Sequence, residues 1–334
     1  MTKKSIEKRI MRGVSQEFAE AFKKCELYDL YEKHKDELFI GVRNNYLNLY
    51  YNSDSIAKIK YIKGSICCEI NKYYLPEDKH DSHTDKGKQY VKIEPKQICE
   101  HYKKIKENSC KKVNAEKKSQ SKLVLLNNGN KNSNWFCIDI EYVKQFNNKE
   151  EKDKSDFNGR FDIIALSKEK PHRVALIELK YGSGSIGGKS GIYKHVKDFS
   201  LFCDKGFFEG HLKQELIGII KSQKELGISV PFQSPKESDV LVPEFYFITL
   251  NNNAEKENTS TPKQTMAGYL FKNYRWGCKK ISKKYCIEND LGDITKKNNK
   301  FHATFLFSKT TLENLKITDI IDGNYEEKII PECK

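Results

Sequence analysis

The sequence predicts an α/β protein with an additional N-terminal α+β region, and three observations support this. Short runs of branched and aromatic residues alternate with segments whose apolar residues recur at helical spacing. Residues 123–250 predict the order strand, strand, strand, helix, helix, strand, which is typical of an α/β domain. A lysine-rich stretch at residues 101–122 separates this part from an N-terminal part that has helices and strands of its own.

The composition favours a polyanionic partner. The chain has 334 residues, a formal net charge of +14 and 37% hydrophobic residues, which is enough for a sizeable core. This length allows one large domain or two ordinary ones. A basic excess of this size indicates nucleic acid first and an anionic membrane second, although biased use of lysine along the whole chain would also explain it.

The cysteine pattern and the absence of apolar spans predict a cytoplasmic protein. None of the ten cysteines stands in a Cys-x-x-Cys arrangement, and most lie in apolar runs, as reduced buried cysteines do. Residues 1–15 have no apolar core, so no signal peptide is expected. No apolar run approaches membrane-spanning length, so we expect no membrane partner.

The N-terminal part is predicted to contain one or two helices in residues 5–38 and several strands in residues 39–74. Residues 78–88 contain aspartates and histidines without a recognisable ligand spacing, which favours a solvated loop. Residues 101–122 are either a basic helix that tracks phosphates or a flexible linker. We place the domain boundary here, with an N-terminal region at residues 1–120 and a second domain at residues 121–334.

Residues 135–143 predict a strand with an unusual polar face. Strand alternation places four apolar residues on one face, namely Phe136, Ile138, Ile140 and Tyr142. Asp139 and Glu141 then share the other face, which is either wet or next to a catalytic cleft. Residues 147–158 are expected to form a polar loop.

The elements that follow complete the predicted α/β domain. Pro171 separates two apolar strands, and a glycine-rich loop then leads to a helix that Ser190 can cap. In order, the predicted ranges are strands 161–166 and 174–181, a loop at 182–191, a helix from 192, a helix at 210–226, and strands 245–250 and 301–307.

Three residues on the two central strands suit metal-dependent cleavage of phosphodiester bonds. Glu178 and Lys180 are two positions apart and therefore project to the same side, while Asp162 on the preceding strand can reach the same edge. The two carboxylates and the carbonyl of Leu179 are hard oxygen ligands of the kind that Mg²⁺ or Mn²⁺ prefers. Lys180 would orient or deprotonate the attacking water or neutralise charge on the phosphate. A surface ion pair is the structural alternative for Glu178 and Lys180.

This arrangement resembles the restriction-endonuclease-like superfamily, also called PD-(D/E)XK nucleases. Arg160-Phe161-Asp162 matches the first half of the motif, with Phe161 in place of the proline, and Ile177-Glu178-Leu179-Lys180 matches the second half. The resemblance covers residues 123–250 and implies a central mixed sheet flanked by helices. It implies metal ligation by Asp162 and Glu178, catalysis by Lys180, and a role for Glu141 as an additional upstream acid. A homodimer and a role in restriction or phage defence are further implications.

Other residues are candidates for contact with nucleic acid. Tyr193, Lys194 and His195 stand on the helix after the catalytic strand, where phosphate contact is plausible, and Lys189 precedes them in the glycine-rich loop. Residues 266–285 interleave aromatics and cations, including Arg275 and Trp276, as single-strand-binding surfaces do. A half-buried strand pair with a solvated lysine face is the alternative for that segment, and we favour it slightly.

The sequence thus predicts a Mg²⁺- or Mn²⁺-dependent nuclease that acts on nucleic acid, with DNA the expected substrate. One alternative is a P-loop-like NTPase using Gly188–Ser190, although Ser183 stands where the first glycine of that motif belongs. The other is a non-catalytic nucleic-acid-binding protein on a nuclease-like fold.

Overall fold

Two β-sheets and the helices packed on them form the molecule. The structure is a computed structural model that describes residues 11–76, 89–146, 148–182, 191–251, 303–316, 319–323, 325 and 327–329. Within these ranges the chain forms two sheets and seven α-helices, so the predicted α/β class is confirmed. No helix in these ranges is long and apolar enough to cross a membrane.

The first sheet is an antiparallel meander in which each strand lies beside the next one in the chain. Its strands are β1 (Leu38–Val42), β2 (Tyr46–Tyr51), β3 (Asp54–Ile62), β4 (Ser65–Asn71) and β5 (Tyr90–Ile93). The accompanying helices are α1 (Gln16–Lys23), α2 (Glu26–Lys33) and α3 (Pro95–Lys112), with a 3₁₀ turn (Lys72–Tyr74) after β4. The Ser15 side chain accepts a hydrogen bond from the amide of Phe18 and so caps α1.

The second sheet is mixed and carries the predicted motif. Its strands, in chain order, are β6 (Trp135–Val143), β7 (Arg160–Ser167), β8 (His172–Tyr181), β9 (Val240–Leu250), β10 (Ala303–Phe307) and β11 (Glu327–Ile329). They lie in the order β11-β10-β9-β8-β7-β6, and β9 runs parallel to both β8 and β10. The remaining helices are α4 (Ala115–Gly129), α5 (Lys149–Ser155), α6 (Ile192–Asp204) and α7 (Lys213–Glu225), with a π-helical turn (Phe208–Leu212) before α7.

Helices cover both faces of the second sheet. Side chains of α6 and α7, such as Val196 and Leu216, pack on one face, and Leu123 of α4 packs on the other. Buried residues also connect the two sheets. Phe39 of β1 packs into the core on the α4 side of the second sheet, and Ile219 of α7 packs into the core of the first sheet. The two sheets therefore share buried surface.

A buried ion pair network joins the N-terminal region to the edge strand β6. Arg12 Nη1 donates to Asp139 Oδ2 at 2.6 Å, and Arg43 Nη1 donates to Asp139 Oδ1 at 2.6 Å. The same guanidinium groups donate to the carbonyls of Val143 and Ile140, at 3.0 and 2.8 Å. We call Arg12, Arg43 and Asp139 the β6 clamp. The clamp donates hydrogen bonds to carbonyl groups of the edge strand β6 that would otherwise be unpaired.

The predicted apolar face of β6 is wrong for Ile140. Phe136, Ile138 and Tyr142 join the core on the α6 side together, as predicted, while Ile140 joins the core on the α4 side. The cause is an irregular pairing between Cys137 and Asp139, together with the left-handed backbone of Glu141 (φ 54°), both of which interrupt strand alternation. Asp139 is buried in the clamp, whereas Glu141 reaches the candidate site described below.

Two further expectations change, and one open alternative is decided. Residues 147–158 contain the helix α5 rather than only a loop, because Asn148 caps it through the amide of Glu151. Residues 101–122 lie mostly in α3 and α4, which is the helical alternative rather than the linker, and the boundary predicted at residue 120 falls inside α4. The N-cap of α6 is Gly191 instead of Ser190.

Candidate active site

Asp162, Glu178 and Lys180 converge at one end of the β7–β8 pair. Lys180 Nζ donates to Glu178 Oε1 at 2.6 Å, as expected for residues two apart on one strand. The amide of Leu179 donates to Asp162 Oδ2 at 2.9 Å, which ties the first acid to the strand that carries the other two residues. The exposed fractions are only 6%, 3% and 7%, so the group is buried and the surface ion pair is excluded.

Burial and mutual repulsion make the two carboxylates costly to ionise. Burial raises the pKa of Glu178 well above its usual range, and the charge of Asp162 raises it further. Burial likewise raises the pKa of Asp162, although Lys180 and the Leu179 amide oppose the shift. A pair of acids held this way attracts additional positive charge to the same place.

Lys180 is held in its charged form. Burial by itself lowers the pKa of a lysine, but the carboxylates of Glu178, Asp162 and Glu116 outweigh burial and raise the pKa of Lys180. Glu116 Oε1 lies 3.8 Å from Lys180 Nζ. The residue is therefore an ammonium ion, which donates hydrogen bonds and stabilises negative charge.

Helix α4 supplies two residues that the sequence analysis missed as site residues. Glu116 faces Lys180, and the side-chain amide of Gln120 donates to the carbonyl of Asp162. They are four residues apart and so lie on one face of the helix. This face is polar although it is buried, since Ser119 and Gln120 are both inside. The signal available in the sequence was the row of polar residues that follows Glu116, but the surrounding lysines obscured it.

Glu141 lies at the same site on a strained backbone. Its carboxylate is 3.0 Å from Arg160 Nη1, and its φ of 54° is unusual for a residue with a side chain. Burial raises the pKa of Glu141, while Lys117 and Arg160 lower it and Asp162 raises it. The predicted place of Glu141 near the motif is consistent with this geometry, and Arg160 and Lys117 are additional cations there.

The first turns of α6 contribute differently from the prediction. His195 Nε2 lies 3.1 Å from Glu178 Oε1, so this histidine contacts the acidic pair. Lys194 lies on the surface and pairs with Asp198 one turn later. The side chain of Tyr193 is outside the description. His195 is therefore a member of the site, whereas the predicted phosphate contact of Lys194 stays a prediction.

Several predicted residues fall outside the described part of the chain. These are Lys189 with the rest of Gly188–Ser190, the aromatic and cationic segment with Arg275 and Trp276, and the loop at residues 78–88. Their predicted roles stay predictions.

Comparison of the chain with protein-family models, with curated proteins and with solved structures gave no match. Within the described ranges, no group of three or more acidic, histidine or cysteine side chains is arranged to hold a metal ion. The site contains two buried carboxylates and the Lys180 ammonium ion, which faces both Glu178 and Glu116. Polar and cationic groups surround them.

Proposed function

We propose that this protein is a Mg²⁺- or Mn²⁺-dependent nuclease that hydrolyses phosphodiester bonds in DNA. The observation that carries the proposal is the buried convergence of Asp162, Glu178 and Lys180, tied together by the 2.6 Å ion pair and the Leu179 amide. Burying such charges lowers the stability of the fold. Clusters of buried charges with shifted pKa values are therefore candidates for a catalytic role.

The arrangement of elements supports the resemblance to restriction-endonuclease-like proteins. The motif lies on a mixed sheet with helices on both faces, in the order α4, three antiparallel strands, helices and a parallel strand. That resemblance concerns the second sheet alone. The first sheet and its helices are an addition, for which we propose a substrate-binding role below.

The donor chemistry fits a divalent cation. Asp162 and Glu178 are hard oxygen donors whose repulsion a cation would relieve, and the carbonyl of Leu179 and the carboxylate of Glu141 could complete the set with water. Mg²⁺ commonly binds through one or two carboxylates and keeps several waters, so two protein acids suffice. The chemistry such a cation supplies is a more acidic water and neutralisation of phosphate charge.

The protein residues have separable tasks in this proposal. The Lys180 ammonium stabilises negative charge that develops on the phosphate and orients the attacking water by donating a hydrogen bond. Arg160 and Lys117 attract and position the phosphate backbone. Glu116, Gln120 and His195 hold Lys180, Asp162 and Glu178 in place through the contacts described above.

The test is cleavage of supercoiled plasmid and of single-stranded DNA with Mg²⁺ or Mn²⁺ by Asp162→Asn, Glu178→Gln and Lys180→Gln. Each near-isosteric change should lower the cleavage rate at least about 100-fold, because each removes one charge that acts in the transition state. Chelation with EDTA should abolish cleavage by the unmodified protein.

Matched controls lie on the exposed helix α5. Asp153→Asn, Glu150→Gln and Lys152→Gln make the same chemical changes away from the site and should leave the rate within about twofold, as surface changes do. The proposal is wrong if the unmodified protein binds DNA without cutting it under any of these metals, or if all three site variants cut at the original rate. Binding without cutting would favour the non-catalytic alternative.

A further inference from the structure

The first sheet carries an exposed pair of aromatic rings at one end. Tyr73 is 43% exposed and Tyr90 is 57% exposed, and they are the only exposed aromatic side chains among the described residues. Asn71 pairs with Tyr90 across β4 and β5, and Tyr73 follows two residues after Asn71. The two rings therefore come from adjoining positions at one end of the sheet.

Lysines connect Tyr73 to the candidate site through a series of short contacts. Lys112 Nζ lies 5.7 Å from the centre of the Tyr73 ring and 3.5 Å from Asp54 Oδ2. Lys117 Nζ lies 3.7 Å from the other oxygen of Asp54. The neighbouring residue in α4 is Glu116, which faces Lys180.

Before it reaches Glu116, this path carries a net positive charge. Lys112 and Lys117 share the single carboxylate of Asp54, so two ammonium groups face one acid. Both ammonium groups are partly exposed and can therefore meet a ligand from solvent. Lys112 also donates to the hydroxyl of the buried Tyr74 at 2.9 Å and so has a structural role as well, whereas the Tyr73 and Tyr90 rings are exposed to solvent.

We propose that Tyr73, Tyr90, Lys112 and Lys117 form a binding platform for single-stranded DNA that leads into the candidate site. Exposed rings stack on unpaired bases, and cations alongside hold the phosphates, which is how proteins bind single strands without sequence preference. A duplex keeps its bases stacked inside and gains little from exposed rings. The delivery of the strand to a cutting site rests on the proposed function, whereas the binding itself does not.

The primary test is binding of a fluorescent oligonucleotide of about 12 nucleotides, within the range of roughly 4–16 that such surfaces cover. Fluorescence anisotropy is measured in EDTA on the Asp162→Asn background, so that no cleavage interferes. Combined Tyr73→Ala and Tyr90→Ala should weaken binding at least about tenfold, the loss expected for one stacked base. Combined Tyr73→Phe and Tyr90→Phe keeps the rings and should bind within about threefold of the background protein.

Further arms separate the alternatives. Val242→Ala removes another exposed apolar side chain, on β9, and should change nothing. Lys112→Gln should lower the slope of log affinity against log salt by about 0.7, the value for one phosphate contact on a single strand. Duplex DNA of the same sequence should bind more weakly than single-stranded DNA, because its bases are already stacked inside the helix.

The platform is refuted if the alanine pair binds like the background protein, if the phenylalanine pair loses as much as the alanine pair, or if duplex DNA binds as tightly as single-stranded DNA. Ring-dependent binding without cleavage by the unmodified protein would support the binding platform and refute the proposed nuclease activity. Cleavage with ring-independent binding would do the reverse.

Discussion

At the scale of single residues, the candidate site keeps two like charges together at the expense of the stability of the fold. Glu178 and Asp162 are buried next to each other, and burial together with repulsion raises the pKa of Glu178. The Lys180 ammonium offsets this cost without removing it. Sites that concentrate like charges in this way are less stable than neutral replacements would be, a common consequence of function.

We therefore expect Glu178→Gln to stabilise the metal-free protein by about 1 kcal/mol. The neutral amide removes a buried repelling carboxylate, while Asp162 and Glu116 remain as counter-charges for Lys180. Thermal unfolding in EDTA measures this. Added Mg²⁺ should raise the melting temperature of the unmodified protein by binding the folded state, and it should raise that of Glu178→Gln much less. A variant that melts lower in EDTA, or an equal response of both proteins to Mg²⁺, would contradict this account.

At the scale of elements, β6 shows how far local pattern reaches. Its existence follows from its apolar run, but its faces do not, because the irregular pairing after Cys137 and the left-handed Glu141 are not visible in that run. The β6 clamp then holds the carbonyls of Ile140 and Val143, which lie on either side of Glu141. The N-terminal region thereby fixes the segment that brings Glu141 to the site.

Asp139→Asn should destabilise the fold by about 3–5 kcal/mol, because it leaves the buried Arg43 without its counter-ion and removes one of the two carboxylates beside the buried Arg12, the other being Glu215 at 3.8 Å. Denaturant titration monitored by circular dichroism measures the change. Glu150→Gln is the control, since it breaks an exposed ion pair with Lys154 and should alter the free energy of unfolding by less than about 0.5 kcal/mol. An equally small effect of Asp139→Asn would mean that the clamp contributes no net stability.

At the scale of the whole molecule, the two sheets behave as one packed body. Ile219 and Leu226 of the α7 region complete the core of the first sheet, and Phe39 and Tyr50 of the first sheet complete a core of the second. A predicted division at residue 120 describes the chain order of the two sheets, but α4 bridges them and belongs to the candidate site.

The shared cores predict one unfolding transition, which the natural cysteines can report. Cys68 is buried in the first sheet and Cys137 in the second, whereas Cys110 is exposed. Thiol labelling read by mass spectrometry should modify Cys110 in the folded protein, and Cys68 and Cys137 only on unfolding, at the same denaturant midpoint. Modification of Cys68 at a clearly lower denaturant concentration than Cys137 would show that the two parts unfold separately.

The sequence by itself determined the α/β class, the two central strands and the meeting of Asp162, Glu178 and Lys180. All of these follow from strand alternation and from short connections, which are local properties. Only the tertiary structure decided that Glu116 and Gln120 join that site and that Arg12 and Arg43 share Asp139. Those partners are far apart in the chain, 127 residues in the case of Arg12 and Asp139. Packing of separate elements, rather than the periodicity of any one of them, brings such residues together.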